Sequence, residues 1–308
     1  MNAPIAIVIH GGSGRLYKEE MPPEKEEAYK SALTAAVQEG YAILKEGGTA
    51  VAAVEASIRM LEDSPLFNAG KGAVFSSDGL NELDAAIMDG KTMKAGSVAG
   101  TRTIRNPITA ARAVMEQSEH VMLTGAGADG FAAASGLQIV DPSYFKIEER
   151  WEQIQQLKQQ EQASGKQSKY GTVGAVALDR SGSLAAGTST GGMLNKKWGR
   201  IGDTPVIGAG TYANQISAVS CTGYGEFFIR YTVARDIAAL MEYKNLSVEE
   251  ASREVLFNKV TRAGGAGGVI TLDVKGNMAA LHSTEGMFWA SMIKDNPCQV
   301  NVCNMIIE

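Results

Sequence analysis

The sequence predicts an α+β protein in which antiparallel sheets are layered with helices. Two observations carry this. Helix-like and strand-like stretches come in blocks rather than in strict alternation, which disfavours a parallel βαβ sheet. The second half also holds one hairpin pattern twice. "GAVALDRSGSLAAGTST" returns 94 residues on as "GGVITLDVKGNMAALHST", with Asp179, Gly182 and Ser189-Thr190 answered by Asp273, Gly276 and Ser283-Thr284. In each copy two apolar runs flank a polar turn, and a Gly stands where a hairpin needs positive φ.

The elements follow in order. Pro4 to His10 is a short apolar run ending at Gly11-Gly12, a buried strand entering a turn. Glu24 to Lys45 places Leu33, Ala36, Val37, Tyr41 and Leu44 at helical spacing, and Gly47-Gly48 stops it. Thr49 caps a second helix that runs to about Glu62. "FNAGKGAVF" reads as a glycine-punctuated loop entering a strand, and "ELDAAIMDG" and "AGSVAGTRTI" read as strands. Pro107 to Gln117 is a helix with Pro in its first turn. A strand at Val121 to Leu123 and a small-residue helix at Ala126 to Ala134 come next.

Ile147 to Lys169 differs in character: no apolar face is evident, and it reads as an exposed helix passing into a Gln/Lys/Ser-rich linker. It is the one convincing boundary, so residues 1–171 (with a tail from about 147) and 172–308 form two segments. Beyond it, Val173 to Leu178 begins abruptly as a strand, and the junction is Gly171-Thr172. Between the two hairpins, Gly225 to Tyr243 and Ser247 to Arg262 read as helices, the second opening on the capping-box pair Ser247 and Glu250.

Composition narrows the function. The 308 residues are 44% hydrophobic and 20% charged, an ordinary globular mix. A net charge of -5 argues against nucleic acid or an anionic membrane surface as partner. No apolar run approaches the ~20 residues of a membrane span. The start lacks the basic residues of a secretory leader, and Cys221, Cys298 and Cys303 are odd in number without CxxC spacing. The expectation is a cytoplasmic protein without a zinc site.

Two motif matches fail on context. "HGGSG" (His10 to Gly14) with "GTSTG" (Gly187 to Gly191) and His282 imitates an α/β-hydrolase with Ser189 as nucleophile. That elbow must lead straight into a helix, whereas "GMLNKKWGRIGD" follows. The clusters "GGSG", "GAGADG" and "GGAGG" lack the Lys-Ser/Thr or strand-to-helix setting of a phosphate loop, and read as turns.

Gly171-Thr172 offers different chemistry. A cut there leaves Thr172 with a free α-amine beside its own hydroxyl. Such an amine has a pKa of ~7.7–8, so part of it is neutral near pH 7 and able to activate the hydroxyl. The same hydroxyl can attack the Gly171 carbonyl and release the new N-terminus. The hairpin itself does not require a Thr, because its second copy carries Ala266 at that position.

"GTVGAVALD", "TSTGGMLNKKWGRIGDTPVIGAGTYA" and "SCTGYGE" resemble the plant-type L-asparaginase/isoaspartyl aminopeptidase family of N-terminal nucleophile hydrolases. So do "IHGGSG", "GGTAVAAVEASIRMLEDSPLFNAGKGAVF" and "ELDAAIMDG", so the resemblance spans nearly the whole chain apart from the linker and the C-terminal end. It implies a four-layer αββα sandwich. It also implies a zymogen cut between Gly171 and Thr172, and a dimer of αβ units. Thr172 would be the nucleophile, supported by Thr190, with Asn68 nearby. Arg200 and Asp203 would clamp the substrate's α-carboxylate and α-ammonium, and Thr222 and Gly223 would form the oxyanion hole. Backbone carbonyls of Leu61, Glu62, Ser64, Phe67, Ala69 and Lys71 would hold a structural sodium ion, and no cofactor would serve catalysis. The implied substrates are L-asparagine and isoaspartyl dipeptides. The rivals within the superfamily are a glycosylasparaginase and a threonine endopeptidase; outside it, a non-catalytic binding protein. Trp198 and Tyr224 are expected to shape the mouth of the site.

Overall fold

A computed structural model describes residues 3–14, 21–164 and 171–302 of the chain. It contains two sheets. The larger has eight strands in the order β12-β11-β1-β5-β6-β2-β3-β4. These are β1 (Ala6–Gly14), β2 (Leu83–Asp89), β3 (Ala95–Thr101), β4 (Met122–Thr124), β5 (Val173–Leu178), β6 (Leu184–Thr190), β11 (Gly286–Ile293) and β12 (Gln299–Asn301). The smaller runs β10-β9-β8-β7, with β7 (Thr211–Ala213), β8 (Ser217–Gly223), β9 (Gly267–Asp273) and β10 (Met278–His282). Every pairing is antiparallel except β3 with β4.

Three cores explain the sequence pattern. Ile7 and Ile9 of β1 and Val173, Ala175 and Ala177 of β5 pack against helices α1 (Pro23–Lys45), α2 (Ala50–Asp63) and α3 (Pro107–Gln117). The alternate residues Ala6, Val8, Val176 and Leu178 pack with Ala218, Ile270 and Leu272 of the smaller sheet. The outer face of that sheet gives Val219 and Val269 to a third core, with Phe228 of α6 (Gly225–Arg230), Ile237 of α7 (Val233–Lys244) and Ala251 of α8 (Val248–Arg253). A strand buried on both faces reads as an unbroken apolar run, which is why β1 and β5 stand out in the sequence.

The repeated hairpins share one turn. In β5–β6, Asp179 Oδ1 accepts from the N–H groups of Ser181 and Ser183, and Gly182 has φ +82°. In β9–β10, Asp273 Oδ1 accepts from Lys275 and Asn277, and Gly276 has φ +81°. The Ser247–Glu250 capping box and the Thr49 cap are both present.

Several expectations are corrected. Gly11-Gly12 is no turn: β1 continues to Gly14 past a bulge in its pairing with β11. Residues 73–75 form no strand; a short 3₁₀ turn, Gly70–Gly72, stands before them. The helix read over Gly225 to Tyr243 is broken at Thr232, a β-branched residue with φ +45°. The cause is tertiary, since the first N–H groups of α7, on Ala234 and Arg235, donate to the carbonyls of Ala209 and Gly208. After α8 the helix widens to a π-helical stretch, Glu254–Thr261. The boundary segment forms α5 (Glu148–Ser164), and it is not simply exposed. Ile154 and Leu157 are buried with Val74, Phe75 and Leu194, and Trp151 packs edge-on against Phe75. The last part of the expected linker, residues 165–170, lies outside the described residues.

Candidate active site

β5 starts at the edge of one cleft, and six of the predicted residues meet there, while Asn68, Thr222 and the expected sodium loop are not part of its lining. Gly171, Thr172, Thr190, Arg200, Asp203 and Gly223 all line it. Thr172 sits one residue before β5, and Thr190 ends the neighbouring β6, so the hairpin register brings their hydroxyls together. Thr172 Oγ1 donates to Thr190 Oγ1 at 3.1 Å, and Thr190 Oγ1 donates to the Gly171 carbonyl at 3.1 Å. The Gly192 N–H donates to Thr190 Oγ1 at 3.0 Å, which completes the bonding of that hydroxyl.

Asn68 stands behind the junction rather than in the cleft. Its Nδ2 donates to the Gly171 and Gly192 carbonyls, both at 2.7 Å, and its Oδ1 accepts from the Val74 N–H at 2.9 Å. This bonding fixes which way the amide faces. The Gly171 carbonyl therefore receives two donors, Asn68 Nδ2–H and Thr190 O–H, just where negative charge would develop if Thr172 attacked it. Gly12, with φ +108°, brings the end of β1 against the same bond, and a Cβ there would lie 3.0 Å from Gly171 Cα and 3.1 Å from the Thr172 nitrogen.

Thr222 and Gly223 end β8. The Thr222 side chain is fully buried, and its Oγ1 accepts from the Ser13 N–H at 3.3 Å, leaving its own proton to donate. Gly223 has φ +148°, and a Cβ there would lie 2.5 Å from both Ala266 O and Gly267 Cα, so only glycine fits.

Among the described residues, Arg200 and Asp203 form no ion pair with each other. Arg200 pairs instead with Glu226 of α6: Nε and Nη2 each donate to one carboxylate oxygen at 2.9 Å. Gly202 and Gly225 leave room for the guanidinium, since Cβ atoms there would lie 2.8 Å from Nη1 and 2.7 Å from Nη2. Burial opposes the charge of both partners, yet their mutual bonding wins. It raises the pKa of Arg200 and holds the Glu226 carboxyl below its ordinary value. Nη1 takes no part in that pairing. Asp203 is 6% exposed, and its Oδ2 is buried without a hydrogen-bond partner. Burial pushes its pKa up to about 7, although a backbone N–H and the Arg200 charge pull the other way. An orphaned carboxylate oxygen beside a half-used guanidinium is a site for a molecule carrying both an ammonium and a carboxylate.

The predicted sodium loop fits a hard cation through its donor set. Neutral carbonyl oxygens suit such an ion. A Cβ on Gly70 would collide with the Glu62 carbonyl oxygen, and one on Gly72 with that of Phe67, so the two glycines leave a cradle that these oxygens face. The carbonyls of Leu61, Phe67 and Ala69 each accept one N–H, which leaves each a second lone pair.

The hydrolase imitation fails structurally as well. Ser189 Oγ donates to the buried Glu62 at 2.7 Å, and His282 belongs to the other sheet, its Nδ1 bonded to the Thr284 carbonyl. Trp198 does not crowd the cleft: it is 95% exposed, with φ +55°. Tyr224 packs on Phe227 and does not line the cleft. Sequence reasoning missed Glu226, although "GYGE" contains it, and met His10 only as the end of an apolar run and part of the failed "HGGSG" match.

Comparison with known proteins places the chain in a family. The family described as asparaginase matches residues 3–302. An isoaspartyl peptidase of Escherichia coli (strain K12) is 50% identical over 293 residues, covering 92% of this chain and 91% of its own. A putative isoaspartyl peptidase/L-asparaginase of Dictyostelium discoideum is 45% identical, covering 97% and 96%. A plant-type L-asparaginase of Pyrococcus furiosus is 40% identical, covering 94% and 96%.

Proposed function

The chain belongs to the asparaginase family, and from that premise we propose that it hydrolyses isoaspartyl dipeptides and L-asparagine with Thr172 as the nucleophile. The observation that carries the proposal is the composition of one cleft. It holds the Thr172 hydroxyl, the Arg200 guanidinium, the orphaned Asp203 oxygen and Gly223.

Maturation comes first. The Thr172 hydroxyl attacks the Gly171 carbonyl, the amide becomes an ester, and the Thr172 amine is freed. Asn68 and Thr190 stabilise the oxyanion from the positions they already hold against the Gly171 carbonyl. Water then cleaves the ester and releases a Gly171 carboxylate.

In turnover, the substrate's α-carboxylate lies on the free edge of Arg200 and its α-ammonium on Asp203. That places the β-carbonyl at Thr172. The hydroxyl attacks and the α-amine takes its proton. The oxyanion is met by the Gly223 N–H and the Thr222 hydroxyl. Ammonia or an amino acid leaves with the returned proton, and water resolves the β-aspartyl ester. A donor placed on the oxyanion is worth on the order of 3 kcal/mol of barrier. The requirement for a free α-carboxylate and a free α-ammonium excludes internal aspartyl units of longer peptides.

The three cores suit a four-layer αββα sandwich. The working enzyme in this reading is a cytoplasmic dimer of αβ units, with subunits 1–171 and 172–308. A sodium ion on the carbonyls of Leu61, Glu62, Ser64, Phe67, Ala69 and Lys71 would stiffen the loop that carries Asn68.

A denaturing gel of purified protein tests the proposal. Two bands are expected, the smaller beginning Thr-Val-Gly, and Thr172→Ala is expected to stay whole and inactive. An uncut chain that hydrolyses β-aspartyl dipeptides would overturn it.

A further inference from the structure

We propose that His10 is a positioning residue, holding the carbonyl of Thr172 through its Nδ1–H while Ser220 donates to its Nε2. The inference rests on the reading of Thr172 as the nucleophile and adds what keeps that residue in place once it becomes a chain end.

Thr172 stands outside both neighbouring ladders. The β1 pairing with β5 stops at His10 opposite Gly174, and the β6 pairing stops at Val173 opposite Ser189. After cleavage at Gly171, Thr172 would be joined to the protein by one peptide bond, and chain ends fray unless they are tied. Among the described residues two hydrogen bonds then tie it: the hydroxyl to Thr190 at 3.1 Å, and the carbonyl to His10 Nδ1 at 3.0 Å. The second fixes the plane of the 172–173 peptide. Both working groups of Thr172, the amine and the hydroxyl, hang from its Cα, which lies in that plane, and the Thr190 bond then limits how they turn about it.

The direction of every proton follows from chemistry. A carbonyl only accepts, so His10 Nδ1 carries the hydrogen. A neutral ring then has a bare Nε2, and Ser220 Oγ, 3.0 Å away, must donate to it. Ser220 is in turn free to accept from Thr188 Oγ1 at 2.7 Å, which accepts from Thr211 Oγ1 at 2.7 Å. The other acceptors within reach, the Gly210 carbonyl for Thr188 and the Thr204 carbonyl for Thr211, are more distant at 3.2 and 3.1 Å. His10 is fully buried, and burial pushes its pKa down to about 3 in spite of the bond to Thr172, so the ring stays neutral.

The arrangement also accounts for the Gly in "GTVG". A Cβ on Gly174 would collide with His10 Nε2 and Ser220 Oγ. In the second hairpin the matching Gly268 also stands opposite a histidine, His282, but there Met287 Sδ is the nearest atom to an added Cβ and the His282 ring bonds the Thr284 carbonyl instead. What sets apart the copy that carries Thr172 is a ring bonded to the nucleophile's own carbonyl and to a serine.

Nitrogen NMR on histidine-labelled, cut enzyme reads the tautomer directly, with only three histidines to assign. His10 is expected to be neutral and Nδ1-protonated from pH 5 to 9. An Nε2-protonated ring, or a titration inside that range, overturns the proposal. Kinetics read its consequence. His10→Phe is expected to lower kcat on a β-aspartyl dipeptide on the order of 100-fold, because small misplacements of a reacting group cost that much. KM should change little, since Arg200 and Asp203 are untouched. His10→Asn, whose amide can replace the Nδ1 donor, is expected to recover most of the loss. Full kcat in His10→Phe, or an Asn variant no better than Phe, refutes it. Should His10→Phe fail to fold, the tautomer still decides: Ser220→Ala strips the Nε2 partner while the Thr172 carbonyl still holds Nδ1–H, so the Nδ1–H tautomer is expected to persist, and a switch to Nε2–H refutes the proposal equally. A wild-type enzyme that neither cuts nor turns over would instead sink the underlying reading of Thr172.

Discussion

Lowering the pH should weaken substrate binding through Asp203 before it affects anything else in the clamp. In the empty site this carboxyl has a pKa of about 7, raised by burial. Only the ionised form can hold an α-ammonium, and a bound ammonium pulls the pKa down. Each substrate that binds below pH 7 must therefore expel a proton. At pH 5, two units below that value, about one molecule in a hundred has the carboxylate ready, which corresponds to about 2.7 kcal/mol of binding. Affinity should be flat above pH 8 and fall about tenfold per unit below 7. The Thr172 amine titrates nearby, and kinetics separates the two. kcat reports groups in the complex, where Asp203 is already charged, so its acid limb belongs to the amine. KM carries Asp203. The assay is L-asparagine hydrolysis by fully cut enzyme from pH 5 to 9, and the expected result is a KM that climbs about 100-fold between pH 8 and 5. A KM constant over that range would refute the placement of the ammonium on Asp203.

Other outcomes follow from single contacts. Asn68→Ala removes one donor from the Gly171 carbonyl and should slow self-cleavage on the order of 100- to 1,000-fold, read as the half-time of the second band on a gel. Glu226→Gln loses the charged partner that fixes Arg200, and should raise KM about tenfold while kcat stays within a few-fold, as expected for a hydrogen bond between charged groups; an unchanged KM would mean that Arg200 holds its place without Glu226. Asp203→Asn should stabilise the protein at high pH. The folded-state pKa lies above the unfolded one, so the wild-type carboxyl contributes stability below pH 4 that is lost as pH rises through 7. Asn has nothing to lose. In uncut Thr172→Ala protein, the stability advantage of Asp203→Asn should grow by about 3 kcal/mol between pH 5 and 8, and denaturant midpoints at the two pH values will show whether it does.

What could be read in the sequence was what depends on near neighbours in the chain. β1 and β5 are buried on both faces and appear as apolar runs, and the Asp179 and Asp273 turns announce themselves through Asp and Gly at fixed offsets. Thr172 was legible from the junction it opens, whereas Thr190 came only from the family resemblance; the hairpin register that joins the two across eighteen residues belongs to the structure. α5 was misread because only Trp151, Ile154 and Leu157 mark its buried side, too few to show a face beside so many glutamines. The break at Thr232 was invisible because carbonyls of a loop more than twenty residues earlier capture the first N–H groups of α7. His10 is the extreme case. Its partners lie 162 and 210 residues away, and a lone histidine at the end of an apolar run carries no mark of them. The same distance explains a local puzzle. "GTVG" needs its last glycine only because two side chains from remote strands occupy the space, so a residue that reads as a weakness in a strand records instead how the nucleophile is held.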